Sequence, residues 1–295
     1  MASIYNIIPP TAEEIPILIS VPHCGIKIPS ELKNQYKSHL IQELDDTDWF
    51  VDRLYDFAPA MGITMITANV SRWVVDLNRD PQSKPLYTDG RVITALCTTT
   101  TFLGEPIYQD ERKEVEASEV QRRVNEYYFP YHNAIDENIQ RLHKKFGKIL
   151  LWDCHSIRQT VLSIHKEKFP DLILGDADGT SASPEMIGIA INTLQSQNYS
   201  FSHNYPFKGG YITRQYGRPS ENIHALQLEM SKVNYMDAAE KQYHPARAAK
   251  MQLLLVYIYE LESVFKFIIC LYEKHVLCRL GGAADCFWIY SLPAK

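Results

Sequence analysis

Residues 15–23 read IPILISVPH, a short apolar run rich in isoleucine and valine that ends in a proline and a histidine. Such a run predicts a buried strand that carries His23 at its carboxyl end. Residues 148–155, KILLWDCH, repeat the arrangement, with His155 just past the predicted strand. Because ligands of open α/β sheets bind outside the carboxyl ends of the strands, the two histidines mark a candidate site.

Strand and helix patterns alternate along the rest of the chain. Further elements are predicted as strands over residues 63–70 and 224–228, and as helices over 50–62, 115–146 with an interruption at Pro130, 184–195 and 237–262. This alternation predicts an α/β fold with a largely parallel sheet. No internal repeat or low-complexity linker divides the chain, so we expect one domain, residues 1–263.

Residues 264–295 differ in character from the rest and are interpreted as a C-terminal extension. They contain half of the cysteines, Cys270, Cys278 and Cys286. Their apolar stretch, residues 264–272, is shorter than the roughly 20 residues that span a bilayer. Packing on the domain, an oligomer contact and an appended sequence without a role in the chemistry all remain open.

Composition and charge narrow the classes of partner. The chain has 295 residues, of which 45% are hydrophobic, enough for a sizeable core, and its formal net charge of −5 comes without a basic stripe. Residues 1–5, MASIY, lack the basic start and apolar run of a signal peptide. The six cysteines are irregularly spaced, which indicates free thiols in a reducing compartment. We therefore expect a cytoplasmic protein that binds neither nucleic acid nor membrane.

The two strand-end histidines become a candidate metal site if a carboxylate joins them. Residues 46–48, DTD, precede a predicted helix, and capping that helix needs only one of the two carboxylates. We favour Asp48 as the third ligand, with Asp46 as the substitute. Two histidines and a carboxylate hold zinc with one coordination position open, as in hydrolytic sites. The alternative is that His23 and His155 only form hydrogen bonds at strand ends.

Cys24 and Cys154 stand beside the two histidines and could serve as softer ligands. A cysteine-rich site is typical of structural zinc, but neither cysteine has a second thiol close by in the sequence. We interpret both as small packing residues.

A second group of polar residues suits an acidic substrate. Arg72, Asn78 and Arg79 surround the apolar residues 73–75, and a guanidinium beside a carboxamide can hold a carboxylate through two hydrogen bonds. Residues 208–218 add a basic, glycine-rich segment without the spacing of a phosphate loop. Glu229 ends an apolar strand, where burial near a metal would suit it to act as a general base. Solvated loop charges and a glutamate facing solvent are the alternatives.

Taken together, these segments resemble the N-formylglutamate amidohydrolases from about Pro16 to about Met236. The matching segments are SVPH (20–23), DTDW (46–49), SRWVVDLNRDP (71–81), LWDCHSI (151–157), FKGGYITR (207–214), YGRP (216–219) and QLE (227–229). This family is distantly similar to zinc carboxypeptidases and aspartoacylases, which implies a phosphorylase/hydrolase-like, three-layer α/β/α sandwich. Cys24 and Cys154 depart from the family, in which serine or alanine is frequent, and the resemblance does not cover the extension.

The resemblance implies a zinc amidohydrolase that converts N-formyl-L-glutamate into formate and L-glutamate in histidine degradation. One Zn²⁺ per chain would be held by His23, Asp48 and His155, with Glu229 as the base and Arg72 near the developing oxyanion. The residues expected to bind the substrate carboxylates are Asn78, Arg79, Gly210, Arg214 and Arg218. A deacylase of another N-acyl acidic amino acid and a non-catalytic binder of acidic amino acids are the alternatives. The expected partner is a small-molecule substrate, and homo-oligomer formation is left open.

Overall fold

A mixed sheet of seven strands lies at the centre of the residues that the computed structural model describes, 3–82, 84 and 94–260. The strands are β1 (Tyr5–Ile8), β2 (Ile17–Val21), β3 (Thr64–Ala68), β4 (Ile149–Ile157), β5 (Leu172–Gly175), β6 (Phe201–His203) and β7 (Ile223–Ser231). Their order across the sheet is β1-β3-β2-β4-β7-β5-β6. The predicted boundary at residue 263 and the extension 264–295 lie outside the described residues.

Parallel pairing occupies the middle of the sheet, where β3, β2, β4 and β7 run in the same direction. The prediction of a largely parallel sheet is confirmed for these strands. Towards the edges, β1 is antiparallel to β3, and β5 is antiparallel to β7. The carboxyl ends of β2, β4 and β7 therefore meet at one edge of the sheet.

Helices cover both faces of the sheet. They are α1 (Ser30–Lys33), α2 (Val51–Leu54), α3 (Ala117–Arg123), α4 (Phe129–Phe146), α5 (Pro184–Gln195), α6 (Tyr211–Tyr216) and α7 (Pro245–Glu260). Side chains alternate along each strand, so Ile17 and Ile19 of β2 join a core with α2, α5 and α7, whereas Leu18 joins a second core with α4. Two cores on opposite faces make a three-layer α/β/α sandwich, and the predicted fold class is confirmed.

Several helix boundaries differ from the sequence prediction. The helix predicted over residues 50–62 is α2 followed by a 3-10 turn, Ala58–Met61. Pro130 lies in the first turn of α4, where its missing N–H is tolerated, and the interruption before it is a π-helical turn, Val124–Tyr128. The last described helix, α7, begins only at Pro245. Nowhere in the described ranges does a helix combine the length and apolarity needed to cross a membrane.

Two strands run further than the sequence pattern indicates. Strand β4 continues to Ile157, so His155 lies inside it and not past its end as predicted. Strand β7 continues to Ser231 and includes Glu229. The apolar patterns in the sequence end at polar residues, whereas the backbone pairing continues past them. His155 and Glu229 face each other in register on the two parallel strands.

Candidate active site

His23, Asp48 and His155 converge at the carboxyl ends of β2 and β4. His23 follows β2 by two residues, and the backbone N–H of Asp48 donates to the His23 carbonyl over 2.9 Å, which brings the two side chains together. Asp48 Oδ2 lies 3.1 Å from His155 Nδ1 and 3.6 Å from His23 Nδ1. All three side chains are buried, and one potential ligand atom from each lies within 4.8 Å of the others. The group could hold a metal ion.

Two further carboxylates fix the orientation of the histidine rings. His23 Nε2 lies 2.8 Å from Asp76 Oδ1, and His155 Nε2 lies 2.9 Å from Asp153 Oδ2. Proton donation from each Nε2 leaves the two Nδ1 atoms facing Asp48, the arrangement typical of metal-bound histidines. Within the described residues, the buried His23 Nδ1 has no hydrogen-bond partner. Buried nitrogen atoms without a hydrogen-bond partner are rare in proteins, and a metal ion bound between His23 and Asp48 would account for this one.

Asp46 serves a different purpose from Asp48. Its carboxylate accepts hydrogen bonds from the indole N–H of Trp73, at 2.9 Å, and from the backbone N–H of Phe102, at 3.1 Å. The structure therefore brings Asp48, and not Asp46, to the histidines. Burial would raise the pKa of Asp48 as it does that of Asp46, but the adjacent rings of His155 and His23 hold the pKa of Asp48 well below its usual range.

The two cysteines next to the histidines belong to the packing. Cys24 Sγ donates to the carbonyls of Val21 and Ala68 over 3.4 and 3.3 Å. Cys154 is fully buried in the core on the face of β4 opposite to His155. Burial raises the pKa of both thiols well above the usual value, which keeps them protonated. Both positions agree with the interpretation as packing residues.

Glu229 lies beside the group of possible metal ligands. It pairs in register with His155 across β4 and β7, and the residue is 9% exposed. Burial raises the pKa of its carboxyl group to about 8. A carboxyl group with a pKa near neutrality can both accept and return a proton during a reaction.

Asp76 links the histidine side of the site to two arginines. Its Oδ1 contacts His23 Nε2, while its Oδ2 lies 2.7 Å from Arg72 Nη2 and 3.9 Å from Arg79 Nε. Against the effect of burial, the charge of Arg72 holds the pKa of Asp76 well below its usual range. Sequence reasoning assigned no role to Asp76. Its position in a buried apolar segment, two residues before Asn78, was the signal that could have indicated one.

Asn78 and Gly210 pack directly against each other. The Asn78 amide donates to Asp153 Oδ2 over 3.1 Å, and its carbonyl oxygen accepts from the N–H of Ile212 over 2.7 Å. A Cβ atom at Gly210 would lie 2.3 Å from Asn78 Nδ2, so this position requires glycine. Gln227, another residue without a predicted role, accepts from the Gly210 N–H over 2.7 Å. These bonds hold the Asn78 side chain against Asp153, the carboxylate that orients the His155 ring.

These residues line one cavity of about 280 Å³. His23, Asp48, His155 and Glu229 lie on its lining, as do Arg72, Arg79, Asn78 and Gly210. The lining also includes a group of apolar side chains: Phe102, Ile157, Ile164 and Phe207. The cavity therefore joins a possible metal site, a candidate base, two cations and an apolar wall.

The structure does not bring Arg214 and Arg218 to the described lining of this cavity. The exposed Arg214 donates from Nε to the Gly209 carbonyl over 3.0 Å. Arg218 pairs with Glu221 and its backbone bonds to Ile223, at the amino end of β7. Glu229 lies six positions after Ile223 along the strand, which is about 20 Å at about 3.3 Å per residue. The segment 208–218 contributes to the site through Gly210 instead.

Comparisons with known proteins agree on one family. The family model described as N-formylglutamate amidohydrolase matches residues 15–236. The N-formylglutamate deformylase of Pseudomonas aeruginosa is 40% identical over 227 residues, which cover 76% of this chain and 83% of that protein. The protein of the same name from Pseudomonas putida is 38% identical over 231 residues, with coverages of 77% and 84%. The crystal structure of N-formylglutamate amidohydrolase from Ralstonia eutropha JMP134 is similar to this chain with a TM-score of 0.72 at 28% identity. The match covers 86% of this chain and 97% of that chain.

Proposed function

This chain belongs to the N-formylglutamate amidohydrolase family, and on that premise we propose that it is a metal-dependent deformylase that hydrolyses N-formyl-L-glutamate to formate and L-glutamate. The observation that carries the proposal is the convergence of His23, Asp48 and His155 in a cavity that also contains Glu229 and Arg79. Hydrolysis of an amide needs an activated water, an acceptor for its proton and a group that stabilises the oxyanion. The cavity offers residues suited to each task.

We propose that His23, Asp48 and His155 hold one divalent ion, and that the ion is zinc. The ligand set suits zinc, since two nitrogen atoms and one carboxylate oxygen leave a coordination position open. When bound, such an ion supplies polarisation of the formyl carbonyl and lowers the pKa of water. In the part of the chain that the structure describes, His23 Nδ1 has no hydrogen-bond partner, and this supports the assignment independently of the family. Asp76 and Asp153 keep both rings in the orientation that ligation requires.

Glu229 is the proposed proton carrier. Its burial next to His155 favours the protonated carboxyl group, and a cation held by the histidines would favour the carboxylate. In the ionised form Glu229 accepts the proton of the attacking water, and then returns it to the departing amine. The same residue acts first as base and then as acid.

Arg79 is the proposed contact for a substrate carboxylate, and Arg72 the contact for the oxyanion. Arg79 is partly exposed to the cavity, with 23% of its side chain accessible, and Thr94 Oγ1 accepts from its Nη2 over 3.0 Å. Arg72 is buried and held by Asp76, so its charge is fixed near His23. Asn78 acts within the proposal by supporting Asp153 and Gly210. The geometry gives no support for substrate contacts from Arg214 or Arg218.

A direct experiment is a formate-release assay after metal analysis of the purified protein. We expect about one divalent ion per chain and release of one formate per N-formyl-L-glutamate consumed. N-acetyl-L-glutamate, tested under the same conditions, separates a deformylase from a general deacylase. A metal-loaded protein that binds N-formyl-L-glutamate without releasing formate would contradict the proposal. The proposal extends to histidine degradation, which the resemblance implies, and to the cytoplasmic location expected from the sequence.

A further inference from the structure

Phe102 occupies a fixed position on the wall of the cavity. Its backbone N–H donates to the Asp46 carboxylate over 3.1 Å, and its carbonyl accepts a hydrogen bond from the Ser163 hydroxyl. Its ring lies over the guanidinium of Arg72, with 4.7 Å between Arg72 Cζ and the ring centroid. Contacts on the N–H, the carbonyl and the ring leave Phe102 little freedom to move aside.

The ring is connected to the possible metal ligands through a short series of contacts. Arg72 bonds to Asp76 over 2.7 Å, and Asp76 bonds to His23 over 2.8 Å. Phe102 therefore covers the guanidinium that the proposed function places next to the oxyanion. The carbonyl oxygen and the acyl substituent of a substrate are bonded to the same carbon atom. An oxygen held beside Arg72 consequently places the acyl substituent in the corner of the cavity that the Phe102 ring borders.

We propose that Phe102 is a specificity-determining residue that limits the acyl group to formyl, an inference that rests on the proposed function. A formyl group carries only hydrogen at the position where an acetyl group carries methyl. Against a wall that cannot retreat, an added methyl group must displace either the ring or the carbonyl oxygen from Arg72. Asp46 supports this wall through the backbone of Phe102, which explains a second buried carboxylate so close to Asp48 in the sequence.

Phe207 provides a matched control on the same cavity. It is also an aromatic residue of the lining, but its ring stacks on Phe169 with 5.3 Å between the centroids. The two phenylalanines thus share size and apolarity, whereas the contact with Arg72 belongs to Phe102. If total cavity volume determined selectivity, shortening either residue would have the same effect.

The experiment compares kcat/KM for N-formyl-, N-acetyl- and N-propionyl-L-glutamate in the zinc-loaded wild type, Phe102→Ala, Phe102→Leu and Phe207→Ala. We expect Phe102→Ala to raise the ratio of kcat/KM for the acetyl substrate to that for the formyl substrate by about 10- to 200-fold. This is the range of discrimination that one methyl or methylene group produces in an apolar pocket. Phe102→Leu keeps most of the bulk and loses the aromatic face, so its ratio stays near that of the wild type while kcat/KM falls for all substrates. Phe207→Ala keeps the wild-type ratio.

An unchanged ratio in Phe102→Ala, or an equal rise in Phe207→Ala, would overturn the inference while formate release by the wild type upholds the proposed function. A wild type that releases no formate overturns both. Thermal unfolding establishes that each variant is folded. If Phe102→Ala does not fold, Phe102→Val replaces it, and an acetyl-to-formyl ratio no higher than that of the wild type rejects the inference.

Discussion

The Nδ1 atom of His23 and the Oδ2 atom of Asp48 face each other across 3.6 Å, both buried. No hydrogen bond joins them, and within the described residues His23 Nδ1 has no other hydrogen-bond partner. Buried polar atoms are nearly always satisfied, so this pair lacks a hydrogen bond that a purely structural contact would have, and the two atoms could instead bind one metal ion.

Replacement of His23 or His155 by alanine should remove metal and activity together. Either change deletes one of the three proposed ligands, and a site with two protein ligands binds zinc much more weakly. Metal content by mass spectrometry and formate release are the measurements. His39→Ala is the control, because this histidine is exposed on the surface in an ion pair with Glu105. Full occupancy and full activity in the double variant of His23 and His155 would reject the metal site.

Glu229→Gln should lower turnover by roughly two to four orders of magnitude while leaving metal content nearly unchanged. Glutamine keeps the size of glutamate and removes its basicity. Steady-state kinetics and metal analysis on the same preparation test this. Loss of the metal instead would identify Glu229 as a ligand and leave the base unassigned.

The variants Asp48→Asn and Asp46→Asn should distinguish a metal ligand from a residue that stabilises the surrounding structure. Asp48→Asn should lower metal content, because a neutral amide is a poor ligand beside two histidines. Asp46→Asn should retain the metal and reduce the free energy of unfolding by about 1–3 kcal/mol, since its carboxylate accepts from Trp73 and Phe102 in a buried place. Urea unfolding and metal analysis distinguish the two. The opposite pattern would exchange the two roles.

Arg79→Lys should lower kcat/KM for N-formyl-L-glutamate without loss of metal. Lysine retains the charge but cannot form the two parallel hydrogen bonds of a guanidinium with a carboxylate. Arg218→Lys is the matched control, and we expect near wild-type kinetics because Arg218 pairs with Glu221 at the far end of β7. Equal losses in the two variants would show that the effect is not local to the cavity.

Gly210→Ala should destabilise the fold by about 1–3 kcal/mol, because its new Cβ atom would overlap the Asn78 amide. The site has no room for a side chain, since that Cβ atom would lie 2.3 Å from Asn78 Nδ2. Gly188→Ala is the control, as its Cβ meets no atom within 4 Å and alanine favours helix α5. Denaturant unfolding should show a loss for the first and a small gain for the second. A gain in both would mean that Asn78 moves aside freely.

Periodicity predicted the central strands and helix α5, because apolar residues there repeat with the period of the element. Strands β1, β5 and β6 were not predicted, since they are three or four residues long and carry too short a pattern. His155 was placed past its strand for a related reason. A polar residue ends an apolar run in the sequence, although the backbone of β4 continues to pair with β7.

Residue types predicted which chemistry the site could perform, but not which arginines would reach it. Arg214 and Arg218 have the charge that an acidic substrate needs, but the described lining of the cavity includes neither, and the Arg218 backbone pairs with Ile223 at the amino end of β7. No pattern in the sequence indicated a role for Phe102. Its importance depends on contacts with Asp46 and Arg72, 56 and 30 positions away, which local sequence patterns cannot report.

His155 and Glu229 stand side by side on adjacent strands, so the hydrogen-bonded ladder of the sheet sets their separation. The spacing of neighbouring strands is nearly constant in proteins, about 4.8 Å. Loops such as the one that bears Phe102 can therefore change length and composition without altering the distance between the proposed metal ligand and the proposed proton carrier. Substitutions in such a loop can change which acyl group is accepted, while the backbone pairing of β4 and β7 keeps His155 and Glu229 at the same distance.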